Sequence, residues 1–206
     1  FNYENRFNIR QLGTRTAAIT IPSGIASLGA LYSHFGYSDF SRSMAALACG
    51  IRLGEKMSAG VQLDYFMEKI SGDYENHHSV TFEAGLFFRP ADNVSAAIHL
   101  FNPLPDSWRK SVMPAAIRAG TGIELNSVLF AGAEAEMSTE GSLALRTGFE
   151  YEVKERIWLR AGFCSEGTSF TFGLGYLFKS VKIDLGFASH EKLGITSSAS
   201  LVFKIR

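Results

Sequence analysis

The chain has 206 residues with 20 basic and 20 acidic side chains, so its formal net charge is zero and gives no electrostatic case for binding nucleic acid. No apolar run reaches the length of about 18 residues that a transmembrane helix needs, which excludes a helical membrane protein. The two cysteines, Cys49 and Cys164, fit neither a disulfide framework nor a metal site.

Large apolar residues alternate with small or polar residues along most of the chain, and this is the period of a β-strand with two different faces. In chain order, the alternation is clear over 57–68, 80–88, 115–125, 143–153, 157–163 and 169–187. No stretch has a convincing helical period. The sequence therefore predicts an all-β chain.

The alternation divides the chain into about fourteen segments of roughly 9–12 residues, which is near the length that a tilted strand needs to cross a bilayer. We predict strand starts near residues 1, 14, 26, 42, 57, 79, 93, 115, 127, 142, 156, 169, 181 and 195. All five prolines fall at strand ends or in connections, as sheet hydrogen bonding requires.

The connections between these segments alternate in length. Short turns are predicted at 54–56, 90–93, 126–127, 154–155 and 179–180, and longer connections at 36–41, 70–78, 102–114 and 188–194. An even number of strands with short turns at one end is typical of bacterial outer-membrane barrels. The sequence thus predicts a transmembrane antiparallel up-and-down β-barrel, one domain over 1–206, in the outer membrane of a Gram-negative bacterium.

A soluble β-sandwich is the alternative fold. Its strands would usually run about 5–6 residues, which is shorter than the segments seen here. Its water-facing positions would carry Lys, Asp and Glu, whereas glycine occupies many of the alternate positions in this chain. Both observations favour the membrane barrel.

Two stretches carry a resemblance to a known family. Residues 24–66 contain SHFGYS (33–38), GIRLGEK (50–56) and SAGVQLDY (58–65), and residues 160–190 look like closing hairpins. Both resemble the fatty-acid-transporter-like outer-membrane barrels of Bacteroidetes, in the branch that includes the type IX secretion proteins PorV and PorQ. The resemblance implies a fourteen-stranded barrel with an N-terminal segment folded into the lumen. Because Phe1 already begins a strand pattern, we expect that plug segment to be missing here.

Two functions follow from the resemblance. The first is a non-enzymatic subunit or accessory partner of a larger envelope complex, for protein secretion or outer-membrane assembly, in contact with outer-membrane lipids or lipopolysaccharide and with protein partners. The alternative is a transporter for hydrophobic small molecules such as fatty acids. The short connections favour the first. No Ser/His/Asp or Cys/His arrangement indicates catalysis, so we expect no enzyme, no metal and no cofactor.

The small and polar face of the strands is expected to line the lumen. It carries charges of both signs on neighbouring strands, which can pair across strands as a ladder. The members of this predicted ladder are Arg118, Glu134, Glu136, Arg146, Glu150 and Arg160. The same face carries ten glycines, which either let a plug approach the wall or relieve crowding in a curved sheet. The ten are Gly60, Gly85, Gly120, Gly122, Gly132, Gly148, Gly162, Gly173, Gly175 and Gly186.

Aromatic residues on the inward face form the candidate ligand site. Phe66, His99 and Phe101 are expected toward the end with longer connections, and Phe87, Phe130 and Trp158 toward the short-turn end. Apolar groups in a lumen could hold an acyl chain or another hydrophobic compound, or could pack against a plug. The pair His77–His78 is expected in a solvated loop and not at a metal.

Overall fold

The computed structural model describes residues 1–71, 76–103, 113–141, 143–167 and 169–204. Fourteen strands form one closed antiparallel barrel in which each strand pairs with its neighbours in sequence and β1 closes the sheet against β14. The strands are β1 (Asn2–Asn5), β2 (Gly13–Ser23), β3 (Ala26–Gly36), β4 (Phe40–Arg52), β5 (Met57–Ile70), β6 (His77–Ala91), β7 (Val94–Phe101), β8 (Ala116–Asn126), β9 (Leu129–Ser138), β10 (Ala144–Lys154), β11 (Ile157–Cys164), β12 (Ser169–Phe178), β13 (Val181–His190) and β14 (Gly194–Phe203).

The predicted fold class is confirmed, and every strand begins within two residues of its predicted start. Several strands fall outside the predicted length of 9–12 residues, most of all β1, β5 and β6. β1 ends at Asn5 and is followed by 3-10 turns at Arg6–Asn8 and Arg10–Leu12, because Phe7 and Asn8 take left-handed φ angles of 56° and 55° that do not fit a strand. β5 and β6 are longer than predicted, at 14 and 15 residues, so His77 and His78 begin a strand instead of lying in a loop.

The short turns all lie at one end of the barrel, as predicted. They follow β2, β4, β6, β8, β10 and β12, and the connections after the odd-numbered strands lie at the other end. Two of those are only three residues long, at 37–39 and 191–193. Parts of the predicted longer connections, 72–75 and 104–112, lie outside the described residues.

The outer wall carries the large apolar side chains. Along β12, Phe170, Phe172, Leu174, Tyr176 and Phe178 are 43–61% exposed, while Gly175 between them is buried. Among the described residues, the only buried apolar side chains are Ala46 and Ala144. A soluble protein would bury its large apolar groups in a core, so the soluble sandwich is excluded.

A wall of this kind needs an apolar solvent around it. Lipid satisfies that need, and a closed sheet leaves no unpaired backbone edge in the bilayer. The outer wall also carries exposed tyrosines at Tyr3, Tyr32 and Tyr65. The protein is therefore a transmembrane barrel of the outer membrane.

No helix in the described parts of the chain is long and apolar enough to cross a membrane.

Candidate functional site

The inner wall brings the first half of the predicted charge ladder together as one cluster on β8, β9 and β10. An Nη atom of Arg118 lies 2.6 Å from a Glu136 oxygen, and its Nε lies 3.4 Å from Glu134. From the other side, Arg146 Nη1 donates to Glu134 at 2.9 Å and to Glu136 at 2.8 Å. Because the two arginines share the two glutamates, the cluster has no net charge.

The second half of the ladder contains a residue that was not predicted. Arg160 on β11 donates through Nε to Glu150 on β10 and through Nη1 to Asp184 on β13, each at 2.5 Å. Asp184 is two strands away from Arg160, so the side chain has to cross β12. It crosses above Gly173, which faces Arg160 in the register, and Gly175, which faces Asp184.

Several of the inward glycines make space for a side chain of the barrel itself. A Cβ on Gly175 would lie 2.7 Å from Asp184 Oδ1 and 3.2 Å from the Arg160 guanidinium, and a Cβ on Gly122 would lie 2.5 Å from the Phe130 ring. These contacts are closer than real Cβ atoms tolerate, so a larger residue would displace the neighbour. At these positions glycine lets flat side chains lie against the wall, and a plug is not needed to explain them.

A recess of about 380 Å³ opens in the inner wall between β6 and β10. Phe87 and Phe130 line it, together with the Glu134–Arg146 ion pair. Four glycines form its floor, namely Gly120, Gly122, Gly132 and Gly148, and the Phe130 ring lies against the wall at Gly122. We call this cavity the glycine recess. It combines two aromatic rings with a charge pair that is already neutralised.

The predicted ligand-site residues all lie on strands of the inner wall, but the register does not gather them. Phe66 pairs with Ser79 on β6, whereas Phe101 pairs with Glu83, four residues further along the same strand. Four residues of strand span about 13 Å. His99 is instead bound to Glu83, with Nε2 and the carboxylate oxygen 2.7 Å apart. A hydrophobic site built on Phe66, His99 and Phe101 stays a prediction.

Sequence reasoning missed a second polar group on the inner wall. Asp64 on β5 is fully buried, and Gln62 Nε2 donates to its Oδ1 at 2.7 Å. Its Oδ2 has no hydrogen-bond partner within the described residues. Glu83, opposite Gln62 in the register, and His99 complete this polar patch. The signal was present in the sequence, because Asp64 occupies an inward position of a regular alternation.

Two pieces of chain at the longer-connection end are fixed to the wall. Phe7 packs edge-on against His190 and its backbone nitrogen donates to Thr196 Oγ1, which holds the first 3-10 turn against β13 and β14. Asn102 is buried against β6, where Thr81 donates to its side-chain oxygen at 2.7 Å. Asn102 in turn donates to the Met113 carbonyl oxygen. Both ends of the β7–β8 connection are thus fixed to the wall.

Within the described ranges, no group of three or more His, Cys, Asp or Glu side chains is arranged to hold a metal ion. Tyr65 and His78 instead form a hydrogen-bonded, stacked pair, with the Tyr65 hydroxyl 2.8 Å from His78 Nδ1.

No family model and no curated protein sequence matches the chain. Solved structures of bacterial outer-membrane barrels do match its fold. Omp33 of Acinetobacter baumannii has a TM-score of 0.63 at 12% identity, covering 99% of this chain and 95% of that chain. A FadL homologue of Pseudomonas aeruginosa has a TM-score of 0.64 at 13% identity, covering 93% and 76%. The toluene transporter TodX of Pseudomonas putida has a TM-score of 0.66 at 10% identity, covering 98% and 84%.

At these identities the likeness is one of fold. The neighbours are barrels that include transporters and a porin. The assignment to the Bacteroidetes secretion branch stays a prediction.

Proposed function

We propose that the protein is an outer-membrane channel or transporter for small molecules, and that its solutes pass through the glycine recess. The recess is the observation that carries the proposal. Beside the Phe130 ring, which covers Gly122, the glycine floor leaves room for a flat molecule to lie against the wall. The solute class that fits is small, flat and mainly apolar.

The charges beside the recess support this class of solute. Glu134 and Arg146 pair with each other, so an apolar molecule that enters does not have to separate an unpaired charge from water. The resemblance in fold to TodX adds support, because a TodX variant is described as a monoaromatic hydrocarbon channel and has a TM-score of 0.67 to this chain.

Filling the recess should slow the passage of an aromatic solute. A Cβ at Gly132 would lie 3.5 Å from the Phe130 ring, an ordinary contact, so Gly132→Leu adds its side chain without a clash at the backbone. In vesicles that contain the purified barrel, we expect the entry of benzyl alcohol in excess of its entry into protein-free vesicles to fall about tenfold, the equivalent of about 1.4 kcal/mol. The measurement is solute entry per folded barrel.

Gly29→Leu is the matched control for this experiment. Gly29 faces the lumen on β3, away from the recess, and a Cβ there would lie 3.5 Å from Ala48 Cβ. It should pass benzyl alcohol at the wild-type rate. Equal slowing by both variants would show that general narrowing of the lumen, and not the recess, limits passage. Entry of a sugar as fast as that of benzyl alcohol would make the protein an open pore and contradict the proposal.

The second candidate is a subunit of a larger envelope complex for secretion or outer-membrane assembly. The three-residue connections at 37–39 and 191–193 support it, since they leave little material with which to capture a ligand outside the cell. Native membranes extracted in mild detergent should then yield the barrel bound to another protein at a fixed ratio, measured by native mass spectrometry. A barrel that is always recovered alone would contradict this candidate.

A further inference from the structure

The outer wall is not uniformly convex. A groove of about 770 Å³ lies across β14, β1, β2 and β3. The groove is deepest at Ala17 and Ala199, because these two small side chains lie between larger neighbours. Tyr3 faces Ala199 in the register and Tyr32 faces Ala17, and Ile183 and Leu201 complete the apolar part. We call this cavity the outer-wall groove.

One end of the outer-wall groove is polar. Arg15 and His34 face each other on β2 and β3, and Tyr3 faces Arg15 on the other side. His34 Nδ1 lies 3.0 Å from Ser43 Oγ, which leaves Nε2 for a second hydrogen bond. Arg15 forms no ion pair with a carboxylate of the described residues, and no acidic residue lines the groove. The groove therefore offers an uncompensated cation at one end.

The polar end lies at the height of lipid headgroups. Arg15 is the third residue of β2, directly after the connection at 6–12, and this is the barrel end with the longer connections. In outer-membrane barrels that end faces the outside of the cell and the short turns face the periplasm. The apolar part, with Ala17 and Leu201, extends from Arg15 toward the middle of the membrane.

We propose that the outer-wall groove binds one molecule of the phosphorylated, acylated glycolipid of the outer leaflet. Its phosphate would bind Arg15, with His34 and the Tyr3 hydroxyl as further donors, because guanidinium and phosphate form strong charge-assisted hydrogen bonds. One acyl chain would lie over Ala17 and Ala199. An unpaired cation above an apolar groove is complementary to this lipid. The site is on the opposite face of the wall from the glycine recess, so it does not depend on the proposed function.

The test uses the purified, delipidated barrel in detergent, with diphosphorylated lipid A as the probe. Native mass spectrometry should show one lipid A bound to the wild-type barrel. Arg15→Gln should weaken that binding about tenfold, the loss expected for one charge-assisted contact. Ala17→Leu, which fills the floor and keeps Arg15 in place, should weaken it as well. Both positions face lipid, and retained heat-modifiable migration on a gel verifies that each variant is folded.

Lys69→Gln is the matched control, because Lys69 is an exposed cation at the same end of the barrel on β5, outside the groove. It should bind lipid A like the wild type. Equal binding by the wild type and Arg15→Gln would overturn the proposal, as would an equal loss in Lys69→Gln. Phosphatidylethanolamine bound as strongly as lipid A would overturn it too, since the groove would then be an ordinary part of the lipid-facing wall.

Discussion

Replacing Leu174 with arginine should lower the free energy of folding into a bilayer by about 2–4 kcal/mol, the cost of a cation near the bilayer midplane on the lipid side of a barrel. Leu174 is 43% exposed on the outer wall and lies in the middle of β12. The arginine would have to bring its charge into hydrocarbon or bend toward an interface. Denaturant titration of folding into lipid vesicles measures the difference.

Two control variants separate the effect of the face from the effect of the substitution. Ala18→Arg places the same charge in the middle of β2 at an inward, exposed position, where water and polar side chains can solvate it. Thr171→Ser changes an inward position of β12 by one methyl group. Both should cost less than about 1 kcal/mol, as is usual for exposed sites. Equal costs for Leu174→Arg and Ala18→Arg would show that the two faces are assigned the wrong way round.

Removal of the Arg160 guanidinium should lower the free energy of unfolding by about 2 kcal/mol. This is the penalty for leaving a partly buried carboxylate without its hydrogen-bond donor. Arg160→Met leaves Glu150 and Asp184 without their shared cation. Their side chains are partly buried, with 35% of Glu150 and 22% of Asp184 exposed. The same vesicle-folding titration measures the loss. Arg160→Lys should recover only part of it, since an ammonium group cannot reach both carboxylates with a planar fork.

The ion pair can also be disturbed from the neighbouring strand. Gly175→Val would push a side chain against Asp184 Oδ1 and the Arg160 guanidinium, so it should destabilise the barrel by about 1–3 kcal/mol, the usual cost of overpacking. In the Arg160→Met background the further loss should be smaller, because the guanidinium is already gone. Gly60→Val is the control, since its nearest neighbour would be 3.6 Å away. Full additivity of Gly175→Val and Arg160→Met would contradict the coupling.

The strands could be predicted from sequence because a period of two is a local property. The same parity placed Leu174 outside and Gly175 inside, as the structure has them. The end of β1 at Asn5 could not be predicted, because it depends on the left-handed φ angles of Phe7 and Asn8 and on contacts of Phe7 with β13 and β14.

The ion pairs of the candidate site were predictable only where both residues lie on strands that are neighbours in sequence. Arg118 and Glu136 sit opposite each other on adjacent strands, so alternation and a hairpin register are enough to pair them. Asp184 was missed because Arg160 reaches it across β12, which depends on two glycines whose role appears only once three strands are side by side. Phe66 and Phe101 share the inner face, but their partners on β6 are four residues apart. Alternation alone could not show this separation, because it does not give the stagger of the strands in a barrel.

The pairing of β1 with β14 sets the order in which the barrel folds. β1 joins β2 to β14, so its pairing of Asn2 with Ser200 closes the longest loop in the chain, and loop closure of that length has the largest entropic cost. The hairpins from β2 to β14 link strands that are neighbours in sequence and can zip up locally. Strands β2 to β14 would therefore assemble first as a curved open sheet, and the seam between β1 and β14 would be the last to form.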